Sequence, residues 1–234
     1  MTRIPLAIIG LGRMGRAVDQ LAPERGFDVV ARIGKGDPVT RQSLDGAAVA
    51  IEFTEPGSAA ANVRACLDSG CPVVTGTTGW YDALPVLRDE VQRRKGALLA
   101  APNFSLGVAV FSQIATDAAR RFAALPGFDA HLVEIHHAAK KDAPSGTAAA
   151  LAKAAGDARG APIPVTSIRT GSVPGTHELL FDAPFEQVRL VHEARDRRVF
   201  AEGALAAARW IIGRQGIFSM ADVIATPDSR TSEQ

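Results

Sequence analysis

R-I-P-L-A-I-I-G-L-G-R-M-G, residues 3–15, decides the fold. A short apolar run that enters a glycine reads as a buried parallel strand. Gly10, Leu11, Gly12, Arg13, Met14 and Gly15 then spell G-x-G-x-x-G, and an amphipathic helix follows over 16–22. In that pattern the first glycine permits the tight turn. The second lets the backbone approach a pyrophosphate, and the third lets the helix pack close to the strand. At a first strand-to-helix turn the pattern marks a dinucleotide site.

Outward from this stretch the pattern alternates. Strands are expected over 27–33, 47–54, 71–75 and 97–101, with helices over 58–69 and 82–94. Such alternation predicts an α/β unit with a Rossmann-type, doubly wound parallel sheet. Ligands of these sheets sit beyond the carboxyl ends of the strands. Three loops fall there: the glycine loop, G-T-T-G with Gly76, Thr77 and Thr78, and A-P-N-F-S with Ala101, Pro102, Asn103 and Phe104. The second strand lacks the terminal acid that usually holds the ribose hydroxyls of NAD. Arg32 and Lys35 stand there instead. Either they neutralise a 2′-phosphate, so that NADPH serves at least as well as NADH, or they are solvated cations.

The second half opens with an apolar helix over 106–122 and a strand over 130–136. Next comes E-I-H-H-A-A-K-K-D-A-P-S-G-T, residues 134–147. Three of the five histidines, His131, His136 and His137, lie within seven residues here, and Lys140 and Lys141 follow. A histidine near its ordinary pKa moves protons at neutral pH, and a lysine donates a proton or holds an anion. Ser145, Gly146 and Thr147 open a helix, whose N-terminal amides suit a carboxylate or phosphate. This cluster points to a small anionic substrate and a proton transfer.

Strands over 165–169, 177–182 and 187–194 come without helices between them, which predicts an open, mostly antiparallel sheet packed on helices. Arg169 reads either as a bidentate ligand for a substrate carboxylate or as a surface ion pair. His192 reads as a hydrogen-bonded sheet residue. An apolar helix over 203–213 is expected to return to the first domain. The division is therefore 1–104 with 200–234 for the dinucleotide, and 105–199 for an α+β substrate and oligomerisation domain with an open mixed sheet. The residues from Thr226 on read as a frayed tail.

Composition narrows the class. With 234 residues and 47% hydrophobic content the chain can bury two modest cores, and a net charge of +1 gives no global pull towards nucleic acid or an anionic membrane. No run of about 20 apolar residues is present, so no membrane span is expected, and the N-terminal apolar run is too short for a secretory core region. Cys66 and Cys71 lack companions at zinc spacing, which points to reduced thiols in the cytoplasm and no metal site.

The chain resembles the dihydrodipicolinate (4-hydroxy-tetrahydrodipicolinate) reductase family of bacterial lysine and diaminopimelate biosynthesis. The resemblance rests on G-R-M-G, I-E-F-T-E-P, G-T-T-G, P-N-F-S-L-G-V, the 134–147 segment, R-T-G-S-V-P-G-T-H and H-E-A-R-D-R-R-V-F-A-E-G-A. It implies His136 and Lys140 as the catalytic pair. It also implies His137, Ser145, Gly146 and Thr147 as the cradle for a cyclic imine dicarboxylate. Cofactor contacts would come from residues 10–15, Gly76 to Thr78 and Ala101 to Phe104, with NADPH or NADH as cofactor and a homotetramer as assembly. One departure is the Gly34-Lys35 pair where relatives often carry an acid. An aspartate dehydrogenase-like enzyme and a non-catalytic dinucleotide sensor are the rival readings, and both lack a use for the His/Lys/helix constellation.

Overall fold

The computed structural model describes residues 2–225, so the tail expected from Thr226 lies outside the described residues. In chain order the elements begin with β1 (Ile4–Ile9), α1 (Arg13–Leu21), β2 (Phe27–Ile33), β3 (Val49–Glu52), α2 (Pro56–Asp68), β4 (Val73–Thr75), α3 (Leu84–Arg93) and β5 (Ala97–Ala100). They continue with α4 (Leu106–Ala123), β6 (Asp129–His136), α5 (Gly146–Arg159), β7 (Val165–Arg169), β8 (Thr176–Ala183) and β9 (Glu186–Glu193). The last are α6 (Arg198–Ile211), β10 (Gly216–Phe218) and α7 (Met220–Ala225). The chain up to Leu106, together with that from Arg198 onward, forms unit 1, and Gly107–Arg197 forms unit 2.

Unit 1 is built on a six-stranded sheet in the order β10-β5-β4-β3-β1-β2, parallel throughout. Its strands are short and apolar because both faces are covered. Ala7 and Ile9 of β1 join Ala50, Val73 and Leu98 in a core shared with Val63 of α2 and Leu87 of α3. The alternate residues Leu6, Ile8, Ile51, Val74 and Leu99 are fully buried as well. The parallel ladder runs one residue past the strand ends. Gly10 donates to Ile33 O (2.9 Å), Phe53 to Ile9 O (2.8 Å) and Gly76 to Glu52 O (2.9 Å), which draws the carboxyl-end loops together.

Two elements here escaped the sequence pattern. The returning helix starts at Arg198 rather than residue 203, and β10 adds a sixth strand. Three residues, G-I-F, are too few to show a period, and only pairing with β5 makes them a strand.

Unit 2 holds a four-stranded sheet in the order β7-β6-β8-β9. The β6–β8 and β8–β9 pairings are antiparallel, the latter a hairpin, whereas β6 and β7 run parallel. The reason is connectivity: α5 lies between them in sequence, and a helical crossover returns the chain in the same direction. Helices α4 and α5 contribute Phe111, Ala115, Ala148, Leu151 and Ala155 to the core against this sheet.

Candidate active site

Strand register in unit 2 builds the site. On the core face, Leu132, Leu179, Leu190 and Val165 align in one row across the sheet, and Ala130, Phe181 and Val188 in another. The next row is ionisable: Ser167, Glu134, His177 and His192. His136 follows on β6 and aligns with Arg169 of β7. The apolar core thus ends in a band of titratable groups at the end of β6.

Glu134 is fully buried and is the hub of that band. One carboxylate oxygen, Oε2, accepts the Nδ1 hydrogen bond of His136. The other, Oε1, accepts from Arg169 Nη2 (2.7 Å) and from the Ser145 amide (3.2 Å). Burial alone would raise its pKa. The donors Arg169, Ser167, His136 and the Ser145 amide outweigh burial and hold it at about 2. Arg169 is therefore not the surface ion pair foreseen as one alternative. It is an internal counterion, half-buried, that also donates to Asp142 O (2.6 Å).

His136 is buried, and burial is the largest cause of its lowered pKa, with Lys140 and Arg169 adding to it and Glu134 opposing. The ring is thus neutral at neutral pH. With Nδ1–H committed to Glu134, Nε2 carries a bare lone pair. Gly175 backs the ring: a Cβ there would stand 3.0 Å from Nε2. His177 meets His136 edge-on, with ring centroids 5.4 Å apart. Neither nitrogen of His177 has a hydrogen-bond partner. Burial first, then the neighbouring His136 and His192, push its pKa down to about 4. His192 lies in β9, opposite His177, as a sheet residue. Its Nδ1 is buried without a partner, and its ring packs 6.0 Å from that of Phe111.

Past His136 the chain turns through 137–144 into α5. Thr170 donates to His136 O (2.9 Å) and Ala138 to Gly171 O (3.1 Å), which fixes the start of this loop beside β7. Lys140 Nζ lies 2.8 Å from Asp142 Oδ1. Lys140 first, and the Gly146 amide among further donors, lower the Asp142 pKa. That amide, expected to be open, therefore faces a carboxylate of the chain itself. Ser145 is the buried N-cap of α5, its Oγ accepting from the Ala148 amide (3.2 Å). Gly146 is exposed, and a Cβ on it would meet nothing within 4 Å. His137 and Thr147 are half-buried.

In unit 1 the three motif glycines separate by cause. A Cβ on Gly10, at φ +93°, would lie 2.1 Å from Phe53 O, and one on Gly15 would lie 1.9 Å from Gly10 O. The turn and the helix–strand contact require those two. A Cβ on Gly12 would meet nothing within 4 Å, so the fold itself makes no use of its bareness. Gly12 and Arg13 are exposed, while Leu11 and Met14 are half-buried. This geometry fits a dinucleotide at the N-terminus of α1. Of the G-T-T-G loop, Thr78 is exposed, whereas Thr77 is buried. Ala101 and Phe104 are buried, Phe104 edge-on to Phe53 at 5.7 Å, with Asn103 half-buried and Pro102 exposed. Lys35 Nζ reaches Glu55 Oε1 at 2.9 Å, both exposed. Arg32 is held by both oxygens of Asp19 (2.8 Å each).

Comparison with known proteins matches both units. The family described as "Dihydrodipicolinate reductase, N-terminus" matches residues 4–104, and "Dihydrodipicolinate reductase, C-terminus" matches residues 107–224. The 4-hydroxy-tetrahydrodipicolinate reductase of Christiangramia forsetii is 34% identical over 94% of this chain and 97% of its own. That of Xanthomonas euvesicatoria pv. vesicatoria is 40% identical over 91% and 94%. Among solved structures, a dipicolinate-bound dihydrodipicolinate reductase from Paenisporosarcina sp. superposes with a TM-score of 0.78 at 21% identity, covering 93% of this chain and 97% of that one.

Proposed function

The chain belongs to the dihydrodipicolinate reductase family, and from that premise we propose how its residues divide the work. It is an NAD(P)H-dependent oxidoreductase of lysine and diaminopimelate biosynthesis, acting on a small molecule, 4-hydroxy-tetrahydrodipicolinate, and yielding tetrahydrodipicolinate. The aspartate dehydrogenase-like and sensor readings are set aside by that membership.

Unit 1 is the dinucleotide-binding part, through residues 10–15, Gly76 to Thr78 and Ala101 to Phe104. Unit 2 binds the substrate. When bound, the nicotinamide would supply hydride to C4 of the ring once the 4-hydroxyl has left as water with a proton from C5, which leaves a C4–C5 double bond conjugated to the imine. The electron pair left on the conjugated carbon–nitrogen system then takes one proton. Lys140 donates that proton. His136 is neutral and offers only a lone pair at Nε2, so it acts as the acceptor that orients the substrate and the ammonium. Glu134 keeps the imidazole in that tautomer, and Arg169 keeps Glu134 charged. Gly146 and Thr147 at the start of α5, with Ser145 and His137, hold the carboxylates. Substrate carboxylate there displaces Asp142 from the Gly146 amide and leaves Lys140 facing the ring.

One observation carries this reading: a neutral imidazole with one nitrogen committed, a lysine cation and an open glycine at a helix N-terminus share one strand–loop–helix segment. The test is NADPH oxidation driven by freshly made dihydrodipicolinate synthase product. Lys140→Ala should lower kcat by about 10²–10⁴, the usual worth of a positioned acid, and His136→Ala should lower it as well, both at unchanged cofactor affinity. Near-wild-type turnover in both would reject the assignment.

The homotetramer belongs to the same proposal. Ile168 and Val191 are exposed apolar side chains on the sheet face opposite the unit 2 core, and they support assembly through that face. Two unpaired, buried thiols, Cys66 and Cys71, support a reducing compartment, the cytoplasm.

A further inference from the structure

Glu52 is fully buried at the carboxyl end of β3, and among the described residues no cation pairs with it. Its partners are hydroxyls and an amide. Oε1 accepts from the Thr54 amide (3.1 Å), from Thr54 Oγ1 and from Thr77 Oγ1 (3.0 Å). Oε2 accepts from Thr75 Oγ1 (2.5 Å). A hydroxyl has one proton to give. Three threonines therefore spend their only proton on one carboxylate. Thr77 Oγ1 is further occupied by the Thr54 amide (2.7 Å), and Thr54 Oγ1 by Asn62 Nδ2 (3.3 Å).

This knot joins the loops that follow β3 and β4. An apolar contact lies beside it. A Cβ on Gly76 would stand 2.0 Å from the Phe53 ring, so the G-T-T-G loop rests on that ring, which in turn packs on Phe104. The loops that follow β3, β4 and β5 are thus locked to one another through two adjacent residues, Glu52 and Phe53.

We infer that Glu52 is the positioning residue of the cofactor half, with Thr77 as its partner: the carboxylate sets the loop backbone against the dinucleotide, and the Thr77 hydroxyl points inward to it rather than to the ligand. The inference rests on the proposal that this edge holds NAD(P)H. The exposed Thr78, through its hydroxyl, and the half-buried Gly76, through its main chain, are then the ones that touch cofactor.

The test uses the full chain and titrates NADPH, NADH and dipicolinate separately at a temperature well below unfolding. Glu52→Gln places an amide NH₂ among hydroxyls already oriented to donate. It should raise the cofactor Kd about tenfold, on the order of one hydrogen bond. Dipicolinate affinity and kcat at saturating cofactor should stay within about twofold. Thr77→Val should reproduce the loss, and the double variant should be no worse than either, because both break one network. Glu52→Asp should recover part of the affinity. A lowered Tm with unchanged cofactor Kd, or additive losses in the double variant, would overturn the inference. Should Glu52→Gln fail to fold, Thr77→Val decides alone: weakened cofactor binding supports the role and unchanged binding overturns it. Gly12→Ala separates the levels. If it weakens cofactor while Glu52→Gln does not, the inference alone fails. If it leaves cofactor affinity intact, the cofactor assignment beneath both fails.

Discussion

Replacing Gly12 by alanine separates what the ligand needs from what the fold needs. The backbone at Gly12 has φ −72° and ψ −163°, an extended conformation open to alanine, and the added methyl meets nothing within 4 Å. Gly→Ala at a compatible site stabilises by about 0.4–1 kcal/mol, because the unfolded chain loses freedom. For a chain of this length that is a Tm change of roughly 2–4 °C per kcal/mol, and upward. The same methyl would stand where a pyrophosphate must approach the amides at the start of α1. Losing one charge-assisted hydrogen bond there costs about 1.5–3 kcal/mol, so cofactor Kd should rise about 10- to 150-fold.

The assay is quenching of Trp80 and Trp210, both in unit 1, by NADPH and NADH, beside thermal melts without ligand. Gly10→Ala and Gly15→Ala are the contrast. Their methyls would lie 2.1 and 1.9 Å from backbone oxygens, so those variants should lose stability first. A Gly12→Ala protein with unchanged Tm and unchanged cofactor Kd would refute the argument, since the one motif glycine the fold can spare would then have no task. A Tm drop comparable to that of Gly15→Ala would refute it from the other side.

Three further outcomes are expected. Glu134→Gln should lower kcat about 10- to 100-fold at unchanged cofactor Kd and move the acidic limb of the pH–rate profile lower, because the carboxylate is what raises the His136 pKa against burial; an unmoved limb would reject the pairing. Lys35→Ala should lower the ratio of kcat/KM for NADPH over NADH, since a 2′-phosphate would take the place of Glu55 at that ammonium; an unchanged ratio rejects the role. Stability should fall as pH drops from 7 to 5: His177 titrates at about 4 when folded against 6.5 when unfolded, so the unfolded chain binds the extra proton, at about 2 kcal/mol by pH 5. Below pH 4.5 the lowered Glu134 pKa adds a second loss in the same direction. Denaturant midpoints at pH 7 and 5 read the first window, and His177→Gln should flatten it.

The parallel sheet, the glycine loop and the His/Lys segment were legible because each is written in contiguous residues. The period of a strand, three glycines at fixed offsets and a capped helix start need no partner to be recognised. The residues that organise both sites were not legible in that way. Glu52 and Glu134 were read only as letters inside I-E-F-T-E-P and E-I-H-H. A local signal did exist for Glu134. It stands two residues before His136, and a strand places i and i+2 on one face, so the carboxylate had to share a face with the imidazole. Which face is buried, and that Arg169 arrives 35 residues later to neutralise it, follow from the register of β6 against β7. Arg169 could not be assigned from sequence for the same reason: a lone arginine after a strand suits a substrate, a surface pair or an internal counterion equally. Glu52 is harder still. Its donors come from the ends of two strands brought side by side only by parallel pairing of β3 with β4. A buried acid without a cation looks like an error in a sequence and is stable only because four donors converge on it. Convergence of that kind is a property of register, so the groups proposed to touch ligand could be read from motifs, and the groups proposed to aim them could not.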